Sequence, residues 1–332
     1  MIISKTPFRV SFFGGGTDYP VWYQNNSGAV LSTTIDKYCY ISLRYLPPFF
    51  EHKHRIVYSK IENVKELTEI RHPVVKVLLR LFKIKYGIEI HHDGDLPAHS
   101  GIGSSSAFTV GMLNALWALK GKIVSKDYLA KQAIYVERHI LKEYVGSQDQ
   151  IAVAYGGFNK IVFHNDHNFR VEPITLPMER ISQLQNHLML FFTGLSRFSS
   201  KIAKEQVRNA PKNTKELSII LEMVDHGVEI LNSRVDISEF GRLLHELWQV
   251  KKMLSDKISS PQINNMYERA LRYGALGGKI LGAGGGGFML LFVPPKHQNR
   301  VRHGLKDFLE IKFSFENDGS QIIYYNPQKN IK

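Results

Sequence analysis

The stretch HSGIGSSSAFTVGMLNALWALK, residues 99–120, decides the fold of this 332-residue chain. Its first eight residues hold two glycines and four serines, and the remainder is mostly apolar. Phe108, Met112, Leu116 and Leu119 recur at spacings of four, four and three, which predicts a helix with one buried face. Because the extended segment IEIHHDGDLP precedes it, the local order is strand, glycine-rich loop, helix.

This order predicts a loop that holds a phosphate. Gly101 and Gly103 free the backbone to point successive N–H groups at one spot, and a helix N-terminus attracts negative charge. A plain helix cap is the alternative, whereas a flexible linker would not continue into an amphipathic helix. The serines at 104–106 could offer hydroxyl groups to a phosphate or to its Mg²⁺, or could serve as caps alone.

Other phosphate-binding patterns do not fit. The chain has no G-x-x-x-x-G-K-[ST] motif, and the HRD and DFG signatures of protein kinases do not occur. The segment GAGGGG at 282–287 fits G-x-G-x-x-G, but the extended stretch FMLLFV follows it where a dinucleotide site needs a helix. This segment therefore predicts a turn where backbone closely approaches backbone or ligand.

The composition leaves several classes open and disfavours others. A net charge of +13 suits phosphorylated substrates, nucleic-acid binding or simple solubility. Nucleic-acid binding is not expected, because the basic residues are scattered and no zinc-finger or base-stacking motif occurs. The longest apolar stretches are broken by Lys or Arg and no signal peptide is present, so no membrane contact and a cytoplasmic location are expected. The single cysteine, Cys39, is expected in the core.

The pattern along the chain predicts two α+β domains, 1–180 and 181–332. Strands are predicted at 9–13, 29–35, 38–46, 55–59 and 158–163. A helix is predicted from an N-cap at Ser125 to near Gly146. A further strand at 188–194 opens a region in which helices alternate with strands.

Three acidic residues stand near glycine turns or an apolar face. Glu137 borders the apolar face of its helix, where a carboxylate is usually paired or binds metal, although an exposed position at the edge also fits. Asp149 precedes an apolar run and by spacing alone would be a helix N-cap. Asp18 follows three glycines in FFGGGTDYP and taken alone marks a turn.

Together, three segments resemble the GHMP kinases, the small-molecule kinases named for galactokinase, homoserine kinase, mevalonate kinase and phosphomevalonate kinase. PFRVSFFGGGTDYP resembles the sugar-kinase opening P-x-R-V-x-x-x-G-x-x-T-D-Y, PAHSGIGSSSA resembles P-x-x-x-G-L-G-S-S-A, and KILGAGGGGFMLL resembles the C-terminal G-A-G-x-G-G motif. The resemblance implies an N-terminal ribosomal protein S5 domain 2-like domain and a C-terminal ferredoxin-like domain. Ile102 replaces the usual Leu, and His99 stands where a small residue is common.

The resemblance also implies an ATP- and Mg²⁺-dependent kinase and assigns a nucleotide site. The residues expected to wrap the nucleotide phosphates are Pro97, Ser100, Gly101, Ile102, Gly103, Ser104, Ser105 and Ser106. Ser105, the second serine after Gly103, would contact Mg²⁺ together with Glu137.

Further roles follow from the same resemblance. Asp149 stands where the family has its catalytic aspartate, acting as a general base or as an orienting group, and Arg9 would lie close to it. Asp18 would bind sugar hydroxyls. The loop that contains Gly284 and Gly285 would line the site between the domains.

Within the family, GGGTDYP and FFTGLSRFSSKIAKEQ at 191–206 most resemble the bacterial heptose kinases. These enzymes phosphorylate D-glycero-D-manno-heptose 7-phosphate at its anomeric oxygen, and fucokinase-like members are the next alternative. Thr193, Arg197 and Ser199 become candidates for the substrate's own phosphate, with Lys5 as a further candidate. For Arg197, a surface charge without a function is the other interpretation.

Overall fold

The computed structural model describes residues 1–98, 100–166, 168–195 and 199–327, and its strands form two sheets. The strands are β1 (Ile2–Phe13), β2 (Gly28–Tyr45), β3 (His54–Val57), β4 (Ile61–Val64), β5 (Ile88–Gly94), β6 (Phe158–Phe163), β7 (Phe169–Pro173), β8 (Leu188–Phe192), β9 (Gly277–Ile280), β10 (Phe288–Phe292), β11 (Leu309–Ile311), β12 (Phe315–Glu316) and β13 (Gln321–Tyr325). The larger sheet has the order β13-β1-β2-β5-β3-β4, with β6, β7 and β12 attached through β2. The smaller sheet has the order β11-β8-β10-β9.

The long hairpin of β1 and β2 organises the larger sheet. The two strands predicted at 29–35 and 38–46 are one strand, β2. Its register against β1 shifts at the step from Pro7 to Phe8, so that Asp36 and Lys37 are accommodated without ending the strand. One half of β2 then pairs with β6 and the other half with β5.

The end of the chain returns to the first sheet. β12 pairs with β2, and β13 pairs with β1, both antiparallel. The smaller sheet begins at β8, shortly after the boundary predicted near residue 180. That boundary stays a prediction, but residues 315–325 share a sheet with the N-terminal part of the chain.

Helices cover the sheets and fill the space between them. They are α1 (Pro20–Tyr23), α2 (Pro73–Leu81), α3 (Ser104–Leu119), α4 (Lys126–Tyr135), α5 (Gln148–Tyr155), α6 (Met178–Asn186), α7 (Ser199–Asn209), α8 (Thr214–Asn232), α9 (Ser238–Met253), α10 (Pro261–Arg272) and α11 (Gln298–Gly304), with a π-helical turn at Val136–Ile140 and a 3₁₀ turn at Pro295–His297. In this described part of the chain, no helix has the length and apolarity needed to span a bilayer.

The helix predicted after the glycine-rich loop is α3, but its burial differs from the prediction. Eleven of its sixteen residues are buried, not one face alone. α3 contacts β1, β2 and β13 of the larger sheet and also α2, α4 and α5. A helix surrounded in this way is apolar on most sides, so spacing could not reveal how many faces are covered.

The second predicted helix starts where expected and ends early. The Ser125 side chain accepts a hydrogen bond from the backbone N–H of Tyr128, which confirms the N-cap. α4 ends at Tyr135 and continues as the π-helical turn 136–140, so the predicted end near Gly146 is wrong. The following loop forms one wall of the cavity described next.

Candidate active site

A cavity of about 440 Å³ lies at the meeting point of the two sheets' loops. Its walls come from the loop after β1, the glycine-rich loop and first turn of α3, the loop before α5, and residues of α7, α9 and the second glycine loop. The lining residues are Arg9, Gly15, Gly16, Asp18, Tyr19, Gly101, Gly103, Ser104, Ser105, Ser106, Lys142, Glu143, Tyr144, Val145, Gly146, Gln148, Asp149, Gln150, Ala203, Gln206, Lys251, Gly282 and Ala283.

The glycine-rich loop delivers a helix N-terminus to this cavity. Gly103 is the N-cap of α3 and has a left-handed backbone with φ of 74°. The N–H groups in the first turn of an α-helix have no partner within the helix, and residues 104–106 line the cavity. Ser100 fixes the preceding turn, because its hydroxyl donates to the carbonyl of Pro97 at 2.6 Å. This geometry suits an anion at the start of α3.

The two glycine loops pack backbone against backbone. A Cβ added to Gly101 would lie 2.4 Å from the carbonyl oxygen of Leu281, and one added to Gly282 would lie 2.6 Å from the Gly101 Cα. One added to Gly287 would lie 2.1 Å from the Ser100 oxygen. The close approach predicted for GAGGGG is therefore confirmed, and the element that it approaches is the first glycine loop.

Arg9 and Asp149 form an ion pair in the cavity wall. Arg9 Nε and Nη2 lie 2.8 and 2.7 Å from Asp149 Oδ1. Arg9 Nη1 donates to the carbonyl of Gly101 at 2.7 Å, which ties the pair to the glycine loop. Both residues line the cavity, but the arginine side chain is 2% exposed and the aspartate 28%, so the carboxylate is the more accessible partner. Asp149 lies inside the first turn of α5, not at the N-cap that spacing suggested.

Asp18 places a second carboxylate in the same wall. Its Oδ1 accepts a hydrogen bond from the backbone N–H of Gly16 at 3.0 Å. A Cβ at Gly146 would lie 1.8 Å from Asp18 Oδ2, so only glycine lets the loop before α5 reach this carboxylate. Burial raises the pKa of Asp18, and the charge of Asp149 raises it further. Asp18 therefore titrates more readily to the neutral form than an exposed carboxyl does.

Glu137 is fully buried behind the start of α3. The hydroxyl of Ser106 donates to Glu137 Oε2 at 3.0 Å, and the Gln150 amide donates to the same oxygen. The serine that contacts Glu137 directly is therefore Ser106, whereas Ser105 is exposed and lines the cavity, and the predicted role of Ser105 as an Mg²⁺ ligand stays a prediction. Burial raises the pKa of Glu137 to about 7, and the nearby Thr109, Gln150 and Ser106 side chains partly offset this.

The residues around Glu137 fit a magnesium ion that also takes ligands from phosphate. Glu137 Oε1 has no hydrogen-bond partner within the described residues, although it is buried. Ser105 and Ser106 add hydroxyl oxygens at the cavity surface. No group of three or more acidic, His or Cys side chains in the described part of the chain could hold a metal. Mg²⁺ commonly binds through one or two carboxylates plus substrate phosphates and water, so the chemistry of this donor set is compatible with that ion.

Several of the proposed substrate residues do not reach the cavity. The ammonium of Lys5 lies 4.2 Å from the centre of the Tyr38 ring. Thr193 donates its hydroxyl to the Gly287 carbonyl at 2.9 Å. Gly284 and Gly285 pack against Ile258. A Cβ added to Gly284 would lie 2.8 Å from the Ile258 carbonyl oxygen, and the Gly285 N–H donates to the same oxygen at 2.8 Å. The sequence pattern identified the loop, but Gly282 and Ala283 are its lining residues.

Three positions cannot be placed against the cavity. His99 and Arg197 lie outside the described residues, and Ser199 is described only as the first residue of the α7 backbone. Their predicted roles stay predictions.

Several lining residues had no predicted role, among them the loop 142–146 and Lys251. Lys251 is 4% exposed and donates to the carbonyl of Gly282 at 2.6 Å. It follows Leu244 by seven positions and Leu247 by four, so helical spacing places it on the buried face of α9. A charged lysine on the buried face of a helix was the sequence feature that could have identified Lys251 as a site residue. The loop carries no such signal.

Comparison with known families agrees with this architecture. The model of the GHMP kinases N terminal domain matches residues 70–157, and that of the GHMP kinases C terminal matches residues 231–311. Together they cover a little over half of the chain. The first match contains the glycine-rich loop, Glu137 and Asp149, and the second contains Lys251 and the second glycine loop.

Similar proteins match over nearly the full length. D-glycero-alpha-D-manno-heptose 7-phosphate kinase of Campylobacter jejuni subsp. jejuni is 28% identical over 96% of this chain and 97% of that protein. Galactokinase of Pyrococcus furiosus is 25% identical over 95% of each chain. The crystal structure of a D-glycero-D-manno-heptose 1-phosphate kinase from Bacteroides thetaiotaomicron superimposes with a TM-score of 0.80, at 23% identity, over 98% of this chain and 99% of that one. The last likeness establishes the fold.

Proposed function

Because this chain belongs to the GHMP kinase family and is an ATP-dependent kinase, we propose that its acceptor is a sugar phosphate, D-glycero-D-manno-heptose 7-phosphate. The γ-phosphoryl group of ATP would pass to the anomeric hydroxyl and give the 1,7-bisphosphate, a step in making nucleotide-activated heptose. The observation that carries the transfer chemistry is the Arg9–Asp149 ion pair beside the N-terminus of α3, and the choice of acceptor follows from the similar heptose 7-phosphate kinase.

The geometry supports an in-line transfer between the two sides of the cavity. The hydroxyl proton of the acceptor passes to the Asp149 carboxylate, the acceptor oxygen bonds to the γ-phosphorus, and ADP leaves. Arg9 holds Asp149 in place through two contacts to one oxygen. Phosphoryl transfer depends mainly on such positioning and on electrostatic stabilisation.

The first turn of α3 would hold the nucleotide phosphates. The backbone N–H groups of residues 104–106 and the positive end of the helix dipole favour an anion there. Glu137 with the hydroxyls of Ser105 and Ser106 would hold Mg²⁺, which when bound neutralises phosphate charge. Buried Glu137 orients the Ser106 hydroxyl through their hydrogen bond.

The sugar would lie against the acidic side of the cavity. The carboxylates of Asp18 and Asp149 would accept hydrogen bonds from the hydroxyl groups of a polyhydroxylated substrate. The relatives named above act on heptose phosphates and on galactose, according to their names. A sugar phosphate also suits the net charge of +13, which attracts anionic substrates.

The test is an ADP-release assay with Mg·ATP over a panel of acceptors: D-glycero-D-manno-heptose 7-phosphate, the heptose 1-phosphate, L-fucose, galactose and mevalonate. We expect the 7-phosphate to give the highest kcat/KM, and phosphorus NMR of the product to show a new anomeric phosphate. A preference for L-fucose would support the fucokinase-like alternative. No turnover of any sugar would refute the proposal.

Asp149→Asn tests the mechanism separately. The amide keeps the size of the side chain but cannot take the hydroxyl proton, so kcat should fall by roughly 10²–10⁴-fold. Binding of Mg·ADP, measured by calorimetry, should change little because, among the described residues, the hydrogen bonds and ion pair of the Asp149 carboxylate go to Arg9 and not to the nucleotide loop. Near-normal turnover would remove Asp149 from the reaction.

A further inference from the structure

Two buried lysines lie beside the site without a carboxylate partner. Lys251 in α9 and Lys279 in β9 are 4% and 2% exposed. Lys279 donates to the carbonyls of Ser11 and Phe12 at 3.0 and 2.7 Å. Within the described ranges neither ammonium has a carboxylate oxygen within 4.0 Å. The hydrogen bonds described for both ammonium groups therefore go to backbone carbonyls and not to a carboxylate.

Lys251 differs from Lys279 because it lines the cavity. Its ammonium donates to the carbonyls of Gly282 at 2.6 Å and Ile280 at 3.3 Å, which uses two of its three N–H groups. Gly282 packs directly on Gly101, whose carbonyl accepts from Arg9. A short series of contacts thus connects Lys251 to the Arg9–Asp149 pair across the two glycine loops.

The charges around Lys251 make its burial costly. Burial lowers the pKa of Lys251 to about 8, Arg9 lowers it further, and Asp18 opposes this. Burial also lowers the pKa of Lys279, and the positive charges of Lys251 and Arg9 lower it further. A tether between α9 and the Gly282 loop needs N–H donors but no charge. Retaining a cation here is understandable if an anion enters the cavity and compensates it.

Arg9 has few free donors with which to bind that anion. Three of its five N–H groups are already used on Asp149 and Gly101. Lys142 also lines the cavity but is exposed, so its charge is screened by water. Lys251 is the buried cation that lines the cavity in the described chain without a carboxylate partner.

We propose that Lys251 is a catalytic residue that donates an N–H to a non-bridging oxygen of the phosphoryl group being transferred. This role rests on the proposed kinase function. The acceptor oxygen forms a bond to the γ-phosphorus while the bond from that phosphorus to the β–γ bridging oxygen breaks. The hydroxyl proton goes to Asp149, ADP carries away the electron pair, and Lys251 keeps its proton throughout.

The first test is nucleotide binding, which needs no acceptor. Calorimetry would compare Mg·AMPPNP, which has a γ-phosphoryl group, with Mg·ADP, which lacks it. Lys251→Met should weaken Mg·AMPPNP binding at least tenfold and Mg·ADP binding less than threefold. Lys252→Met is the matched control on the same helix, because that side chain lies over the Trp248 ring, 5.9 Å from its centre. Equal losses for both nucleotides, or no loss, would overturn the proposal.

The second test uses Lys251→Arg, which retains the positive charge and the donors. The wild-type kcat/KM for the preferred acceptor should decline as the pH rises through about 8, as Lys251 loses its proton. An arginine does not deprotonate in this range, so the variant should lack this decline. A variant with an unchanged alkaline limb would refute the role. Absence of any turnover would contradict the proposed function instead, while the nucleotide comparison would still decide on Lys251.

Discussion

Replacing Glu137 by Gln should abolish a loss of stability that the nucleotide-free wild-type protein shows as the pH rises to neutral. The carboxyl group is fully buried, and burial raises its pKa from 4.5 to about 7. Between these values the folded protein holds a proton that the unfolded chain has lost. The free energy of unfolding therefore falls as the pH rises through this window, and the loss is complete above pH 7.

The size of this effect follows from the shift. A difference of about 2.5 pKa units corresponds to about 3 kcal/mol at 1.36 kcal/mol per unit. Gln is neutral at every pH and avoids that loss. Relative to wild type, Glu137→Gln should thus gain about 3 kcal/mol between pH 4.5 and pH 8. A constant cost of fitting the amide beside Ser106 and Gln150 cancels in this difference.

The measurement is urea unfolding of both proteins with EDTA across that pH range. Glu222→Gln, which replaces an exposed carboxylate in α8, is the control for changes common to such substitutions. Adding Mg·ADP should then stabilise wild type more than Glu137→Gln, because the variant lacks the carboxylate proposed to hold Mg²⁺. If the free energy of unfolding of Glu137→Gln relative to wild type rises by less than about 1 kcal/mol from pH 4.5 to pH 8, burial does not raise the pKa of Glu137 as described.

Two smaller predictions test the loop and the cap. Gly101→Ala should destabilise the protein more than Gly121→Ala does, as measured by urea unfolding, and should weaken Mg·ADP binding, as measured by calorimetry. Both glycines have a positive φ, but their surroundings differ. A Cβ at Gly101 would lie 2.4 Å from the Leu281 oxygen, whereas a Cβ at Gly121 would meet nothing within 4 Å. Equal losses would mean that the loops do not pack as described. Ser125→Ala should cost about 1 kcal/mol of stability through loss of the α4 cap, with kcat unchanged. A large loss of kcat in this variant would indicate that the start of α4 affects the position of Glu137, which lies in the π-helical turn that follows the helix.

Local features of this fold were readable because their causes are local. The N-cap at Ser125 depends on one hydroxyl and an N–H three residues later. The start of α3 depends on Gly103, which alone supplies the left-handed turn cheaply. By contrast, the helix end predicted near Gly146 was wrong because the π-helical turn at 136–140 places Glu137 inward, a choice made by packing.

The strand–loop–helix order around residues 99–120, the three segments typical of the family, and the candidate carboxylates Asp18 and Asp149 could be identified from the sequence. Which groups contact each other depends on the tertiary fold. Arg9 reaches Asp149 across 140 positions, Ser106 donates to the buried Glu137, and Lys251 faces the cavity from α9. Periodicity and glycine preferences describe neighbours along the chain, whereas these contacts depend on how the two sheets bring distant loops together.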